Sequence, residues 1–129
     1  MVSLLLLSHS LKIAEGTREL ALQMARETNI VAIGGTREGT LGSDYDSTFA
    51  AMKKAAEQGE VIVLADLGSA RLTGQMAREA LENEPRERVF LCEAALVEGA
   101  LIAAIAIASG QGSKETLEQL QEYLLPKDR

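Results

Sequence analysis

Glu60-Val61-Ile62-Val63-Leu64-Ala65-Asp66-Leu67-Gly68-Ser69-Ala70 is the stretch that decides the fold class. Its apolar run lacks the alternation of a half-exposed strand, and such runs belong to strands covered by helices on both faces. Gly59, just before it, fits the C-cap of a preceding helix. Asp66 closes the strand, and Gly68-Ser69 opens a helix that runs to about Asn83, before Pro85. Helix, buried strand and helix in that order make a unit of a parallel sheet.

The alternation continues outward in both directions. Val2 to Leu7 reads as strand one and Asn29 to Ile33 as strand two. Between them, helix one is expected over about Ile13 to Thr28, with Ile13, Thr17, Leu20 and Met24 inward and Glu15, Arg18, Glu19 and Arg26 in water. Asp44 to Gln58 forms helix two, with Asp44 and Asp46 near its positive end and Lys53 and Lys54 toward its negative end. Val89 to Cys92 is strand four, followed by an apolar helix from Leu96 to Ser109. A last amphipathic helix opens at Ser113, carries Leu117, Leu120 and Leu124, and stops at Pro126. The expectation is a single α/β domain over residues 1–129: three layers, with a mainly parallel four-stranded central sheet and helices on both faces.

Hydrophobic residues make up 47% of the chain and aromatic residues 3%, so the core must be aliphatic. A net charge of -6 argues against non-specific nucleic-acid binding, which needs a basic face to displace counterions. Cys92, the one cysteine, allows no intramolecular disulfide and suits a reducing compartment; in its strand it reads as a small hydrophobe. The N-terminus lacks a basic region and a cleavage site, so it reads as a first strand and not as a signal peptide. Ala94 to Ala108 is about five residues too short for a membrane span and is interrupted by Glu98 and Gly99. It suits a helix buried in the core or at a subunit interface, with Glu98 capping a turn or paired near an edge. No membrane insertion is expected, and the cytoplasm is the expected location.

His9 is the only histidine and stands where strand one stops. In a parallel sheet it shares the carboxyl edge, where ligands meet open α/β folds, with Asp66-Leu67-Gly68-Ser69 and with the loop Gly34 to Ser43. Imidazole can act as a neutral nucleophile near neutral pH, and a carboxylate accepting one ring N–H fixes the tautomer that leaves the other nitrogen free. Asp66 can supply that carboxylate, and helix N-terminal amides at Gly68 and Ser69 can hold a phosphate. The Gly34 to Ser43 loop carries four glycines and three hydroxyls but matches neither the Walker A nor the dinucleotide pattern. Each feature also has an ordinary structural explanation: a loop-capping histidine, an N-cap, a plain turn.

Together they fit phosphoryl transfer through phosphohistidine, with no cofactor and no metal. His9 and Asp66 are the candidate catalytic residues, and Ser10, Gly35, Thr36, Gly68 and Ser69 the candidate phosphate-binding residues, with Thr40 and Ser43 as further hydroxyls nearby. A serine hydrolase fits less well, because Ser8 and Ser10 are direct neighbours of His9 and not nucleophiles on a separate element. No further ligands stand at metal-binding spacing.

Leu7-Ser8-His9-Ser10, Ile13-Ala14-Glu15-Gly16, Gly34-Gly35-Thr36, Asp66-Leu67-Gly68-Ser69-Ala70 and Ala95-Leu96-Val97-Glu98-Gly99-Ala100 span nearly the full chain in order. In these pieces the sequence resembles the phosphotransferase subunits of phosphoenolpyruvate-dependent dihydroxyacetone kinases, which share the fold of the mannose-type enzyme IIA family. The resemblance implies that His9 takes a phosphoryl group from the phosphohistidine carrier protein and passes it to ADP on the nucleotide-binding kinase subunit, and it implies a homodimer. Some relatives carry further carrier and enzyme I-like domains; with the chain ending at Arg129, separate proteins are expected to supply those steps. Gly68-Ser69-Ala70, where the sugar enzymes tend to show Gly-Gly-Ser-Pro, favours the dihydroxyacetone branch. The alternatives are a mannose-type sugar-uptake enzyme IIA feeding a membrane permease, and a non-catalytic module binding an anion or a partner.

Overall fold

The structure is a computed structural model that describes residues 1–126. Strands β1 (Val2–Ser8), β2 (Asn29–Gly34), β3 (Glu60–Ala65) and β4 (Val89–Cys92) form one sheet in the order β2-β1-β3-β4. Every pairing is parallel, so the sheet is wholly and not just mainly parallel. The helices are α1 (Leu11–Met24), α2 (Tyr45–Gln58), α3 (Gly68–Glu79), α4 (Asn83–Glu87), α5 (Leu96–Ala108) and α6 (Ser113–Leu120), followed by a 3-10 turn over Gln121–Tyr123.

Alternate side chains of the two central strands point to opposite faces, and both faces are covered. Leu4, Leu6, Ile62 and Leu64 pack with Ala21 of α1, Ala100, Ala103 and Ala104 of α5 and Leu120 of α6. Leu5, Leu7, Val61 and Val63 pack with Met52, Ala55 and Ala56 of α2 and Ala70 and Ala77 of α3. Burying each of these leucines contributes about 2 kcal/mol. The layers are therefore α1, α5 and α6 on one side and α2 and α3 on the other. Gly99 belongs to this packing: a Cβ there would stand 3.2 Å from Leu64 Cδ1, so its absence lets α5 lie close on β3.

Helix one differs from the expectation in both extent and facing. It begins two residues earlier, where Ser10 caps it by accepting from Ile13 N–H, and it ends at Met24. Its buried side chains are Ala14, Thr17 and Ala21, while Ile13, Leu20 and Met24 are 44%, 45% and 58% exposed. Small residues face inward because α1 packs closely against the alanine face of α5, and the large apolar residues are left outside.

The expected third helix is two. α3 stops at Glu79, and Pro85 sits inside the short α4, whose first turn tolerates the missing N–H. α5 is buried on one face only, with Val97 and Ile105 40% and 43% exposed. Glu98 is exposed in its first turn, where a carboxylate suits the helix dipole, and has no ion-pair partner among the described residues. The last helix ends at Leu120, and Leu124 instead bridges antiparallel to Ala94. Among the described residues, no helix is long and apolar enough to cross a membrane.

Candidate active site

The parallel register brings the ends of β1 and β3 together. Leu7 lies opposite Ala65, and Asp66 N–H extends the ladder by donating to Leu7 O at 3.1 Å. Asp66 thus stands beside the Ser8-His9-Ser10 turn that leads into α1. Its Oδ2 accepts from His9 Nδ1 at 2.9 Å and from Ser8 Oγ at 2.6 Å. Its Oδ1 accepts from Leu67 N–H at 2.6 Å and from His9 N–H at 3.3 Å.

An ionised carboxylate only accepts, so the His9–Asp66 bond assigns the proton of the neutral ring to Nδ1 and leaves the lone pair on Nε2. Nε2 has no hydrogen-bond partner among the described residues. The His9 side chain is 29% exposed and that of Asp66 14%, so the carboxylate sits behind a ring that solvent and partners can reach.

Directly after Asp66, α3 begins with Leu67 as N-cap and no side-chain cap. Arg71 N–H bonds back to Leu67 O. The N–H groups of Gly68, Ser69 and Ala70 have no acceptor among the described residues, as the first amides of an uncapped helix do not. Gly68 and Ser69 are exposed, and a Cβ added at Gly68 would meet nothing within 4 Å. This end of α3 therefore offers donors and open space to an anion. Neither Asp66 nor Ser69 caps it.

The loop between β2 and α2 is built differently. Thr36 N–H donates to Thr40 O at 2.8 Å, the two threonine hydroxyls lie 2.6 Å apart, and Thr40 N–H donates to Thr36 Oγ1. Gly35 makes the turn with φ of 73°, a conformation that favours glycine. Asp44 caps α2, and the Ser47 hydroxyl donating to it holds its carboxyl below the usual carboxylate value. Ser43 Oγ is buried without a partner among the described residues.

This loop also grips the turn that carries His9. Gly42 N–H donates to His9 O at 2.8 Å, and a Cβ at Gly34 would fall 2.6 Å from Ser10 O. The structure thus joins His9 to Asp66, sets Gly68 and Ser69 on the adjoining turn, and engages Thr36 in closing its own loop. Ser10 caps α1 with its hydroxyl and donates its N–H to Ser8 Oγ at 3.0 Å.

Ser8 is the site residue that sequence reasoning missed. From the sequence it reads only as an ill-placed hydrolase nucleophile, yet its hydroxyl touches Asp66, and it is 3% exposed. The available signal was parity: Ser8 follows Leu4 and Leu6 on one buried face, where a polar group needs a partner.

Residues 3–119 match the family described as the PTS system fructose IIA component, EIIA-man. The chain is similar to the phosphoryl donor subunit DhaM of the PEP-dependent dihydroxyacetone kinase of Providencia stuartii, with 32% identity over the whole chain and 28% of that protein. It is 33% identical to the corresponding subunit of PEP-dependent dihydroxyacetone kinase 2 of Listeria innocua, covering 93% of this chain and 97% of that one. Among solved structures, the unknown function protein EF1359 superposes with a TM-score of 0.85 at 35% identity, covering 97% of this chain and 96% of that one.

Proposed function

This chain belongs to the EIIA-man family, that of the PTS system fructose IIA component and its DhaM relatives, and from that membership and the site geometry we propose that it is a phosphoryl carrier working through His9. The observation that carries the reading is the 2.9 Å contact between His9 Nδ1 and Asp66 Oδ2, with Nε2 left free.

In the proposed reaction, the Nε2 lone pair attacks the phosphorus of a phosphohistidine on the carrier protein. The Nε2–P bond forms, the donor's P–N bond breaks, and its electron pair stays with the departing imidazole. The His9 ring gains positive charge in this step, and the Asp66 carboxylate beside Nδ1 stabilises it. Phosphoryl transfer depends mainly on positioning and charge stabilisation, so donors facing the phosphoryl oxygens matter most. The N–H groups of Gly68 and Ser69, which have no acceptor among the described residues, supply them.

In the second step, a terminal phosphate oxygen of ADP, held on the nucleotide-binding subunit of dihydroxyacetone kinase, attacks the same phosphorus and releases His9. The proposed setting is the cytoplasm, and the proposed assembly is a homodimer. Ile13, Leu20 and Met24 of α1 and Val97 and Ile105 of α5 leave exposed apolar surface on one helical layer for such contact.

The test is to incubate the protein with labelled phosphoenolpyruvate, enzyme I and the phosphohistidine carrier protein, and to look for an acid-labile, base-stable label. Label is expected on the unaltered chain and absent from His9→Ala. No label on the unaltered chain, or label that survives His9→Ala, removes the reading. Labelled protein is then offered to the ADP-loaded kinase subunit and, separately, to mannose-type permease components; transfer only to the latter replaces dihydroxyacetone with the sugar branch.

A further inference from the structure

Ser8 has one hydroxyl proton and two polar contacts. The N–H of Ser10 can only donate, so Ser8 Oγ accepts from it at 3.0 Å and sends its own proton to Asp66 Oδ2 at 2.6 Å. That same oxygen takes the Nδ1–H of His9 at 2.9 Å. A closed ring of bonds therefore runs from the backbone after the histidine, through Ser8 and Asp66, to the histidine ring. Asp66 Oδ1 is engaged elsewhere, by the N–H groups of Leu67 and His9.

We propose that Ser8 is the positioning residue of this site: its hydroxyl holds Asp66 Oδ2 on His9 Nδ1, and thereby keeps the ring proton on Nδ1 and the Nε2 lone pair facing outward. The inference rests on the carrier reading and extends it to a residue that touches neither phosphate nor partner. Without the hydroxyl, Ser10 N–H loses its acceptor and Asp66 Oδ2 loses the buried donor that holds it. A carboxylate without that anchor no longer stays aligned on one ring nitrogen. Nδ1–H then has a poorer acceptor, and the ring populates the tautomer whose Nε2 carries the proton and cannot attack.

His9 is the only histidine, so ring 15N labelling gives one pair of nitrogen resonances to read. At a pH where the ring is neutral, the unaltered chain is expected to hold its proton on Nδ1. Ser8→Ala is expected to shift population to the Nε2–H form and to slow phosphorylation about tenfold, the order seen when a group supporting a reactive side chain is lost. Ser8→Thr restores the hydroxyl at the same position. It is expected to recover both readouts.

An unchanged tautomer population and rate in Ser8→Ala overturns the proposal, as does a Ser8→Thr chain that recovers neither. If Ser8→Ala loses the amide spectrum of a folded protein, Ser8→Cys, a weaker donor, takes its place, with the same shift expected and an unchanged population overturning the idea. The NMR readout needs no phosphoryl donor. An unaltered chain that takes no label but shows the Ser8-dependent tautomer removes the carrier reading and supports the role of Ser8.

Discussion

At the end of β3, Asp66 reaches across to β1 and accepts from Ser8, from the His9 ring and from two backbone N–H groups, while the amides that follow at Gly68, Ser69 and Ala70 stay without acceptors among the described residues. At the end of β2, a loop richer in hydroxyls and glycines bonds mostly to itself. Thr36 and Thr40 close on one another, Arg37 pairs with Asp46 at 2.9 Å, and Asp44 takes Ser47. Its main gift to the neighbouring turn is mechanical: one N–H on His9 O, and a bare glycine against Ser10. Abundance of candidate ligands is thus a poor guide to a site. What matters is whether polar groups bond across elements, leaving others open, or satisfy one another locally.

Three substitutions break or sharpen this contrast. Asp66→Asn, on the cross-strand side, is expected to keep the thermal transition close to that of the unaltered chain and to slow phosphorylation of His9 about 100-fold, because the amide no longer fixes the ring proton by charge. Single-turnover labelling measures it, and an unaffected rate removes Asp66 from the chemistry.

Gly34→Ala acts through the mechanical side. The added Cβ would stand 2.6 Å from a backbone oxygen that cannot swing away, so β2 and the His9 turn must separate. Denaturant unfolding is expected to show a loss of about 2 kcal/mol or more, and phosphorylation slows as the turn shifts. A variant as stable as the parent would contradict the clamp.

The smallest effect belongs to Thr40→Val, which deletes the hydroxyl bonded to Thr36. It is expected to cost about 1 kcal/mol in the same unfolding measurement and to leave the labelling rate within about twofold. A much larger rate loss at unchanged stability would move the loop from clamp to phosphate site and erase the contrast.

The strands and the parallel sheet were legible because a continuous apolar run such as Val61 to Leu64 has few other homes, and His9 and Asp66 stood out as polar groups at strand ends. The facing of α1 was not legible. Its large apolar side chains form the stronger periodic stripe, yet contact with α5 selects Ala14, Thr17 and Ala21, since small residues let two helices approach. Ser8 was missed for a related reason: a serine beside a histidine is uninformative until the register of β1 against β3 sets a carboxylate next to it.

Sequence alone, then, determined which elements form and which few residues can carry chemistry, because periodicity and side-chain chemistry are local properties. Only the tertiary structure decided which oxygen of Asp66 meets which nitrogen of His9, that Thr36 closes its own loop, and which face of α1 is buried. Those outcomes depend on contacts between residues tens of positions apart, where strand register and helix packing select one arrangement that no single segment specifies.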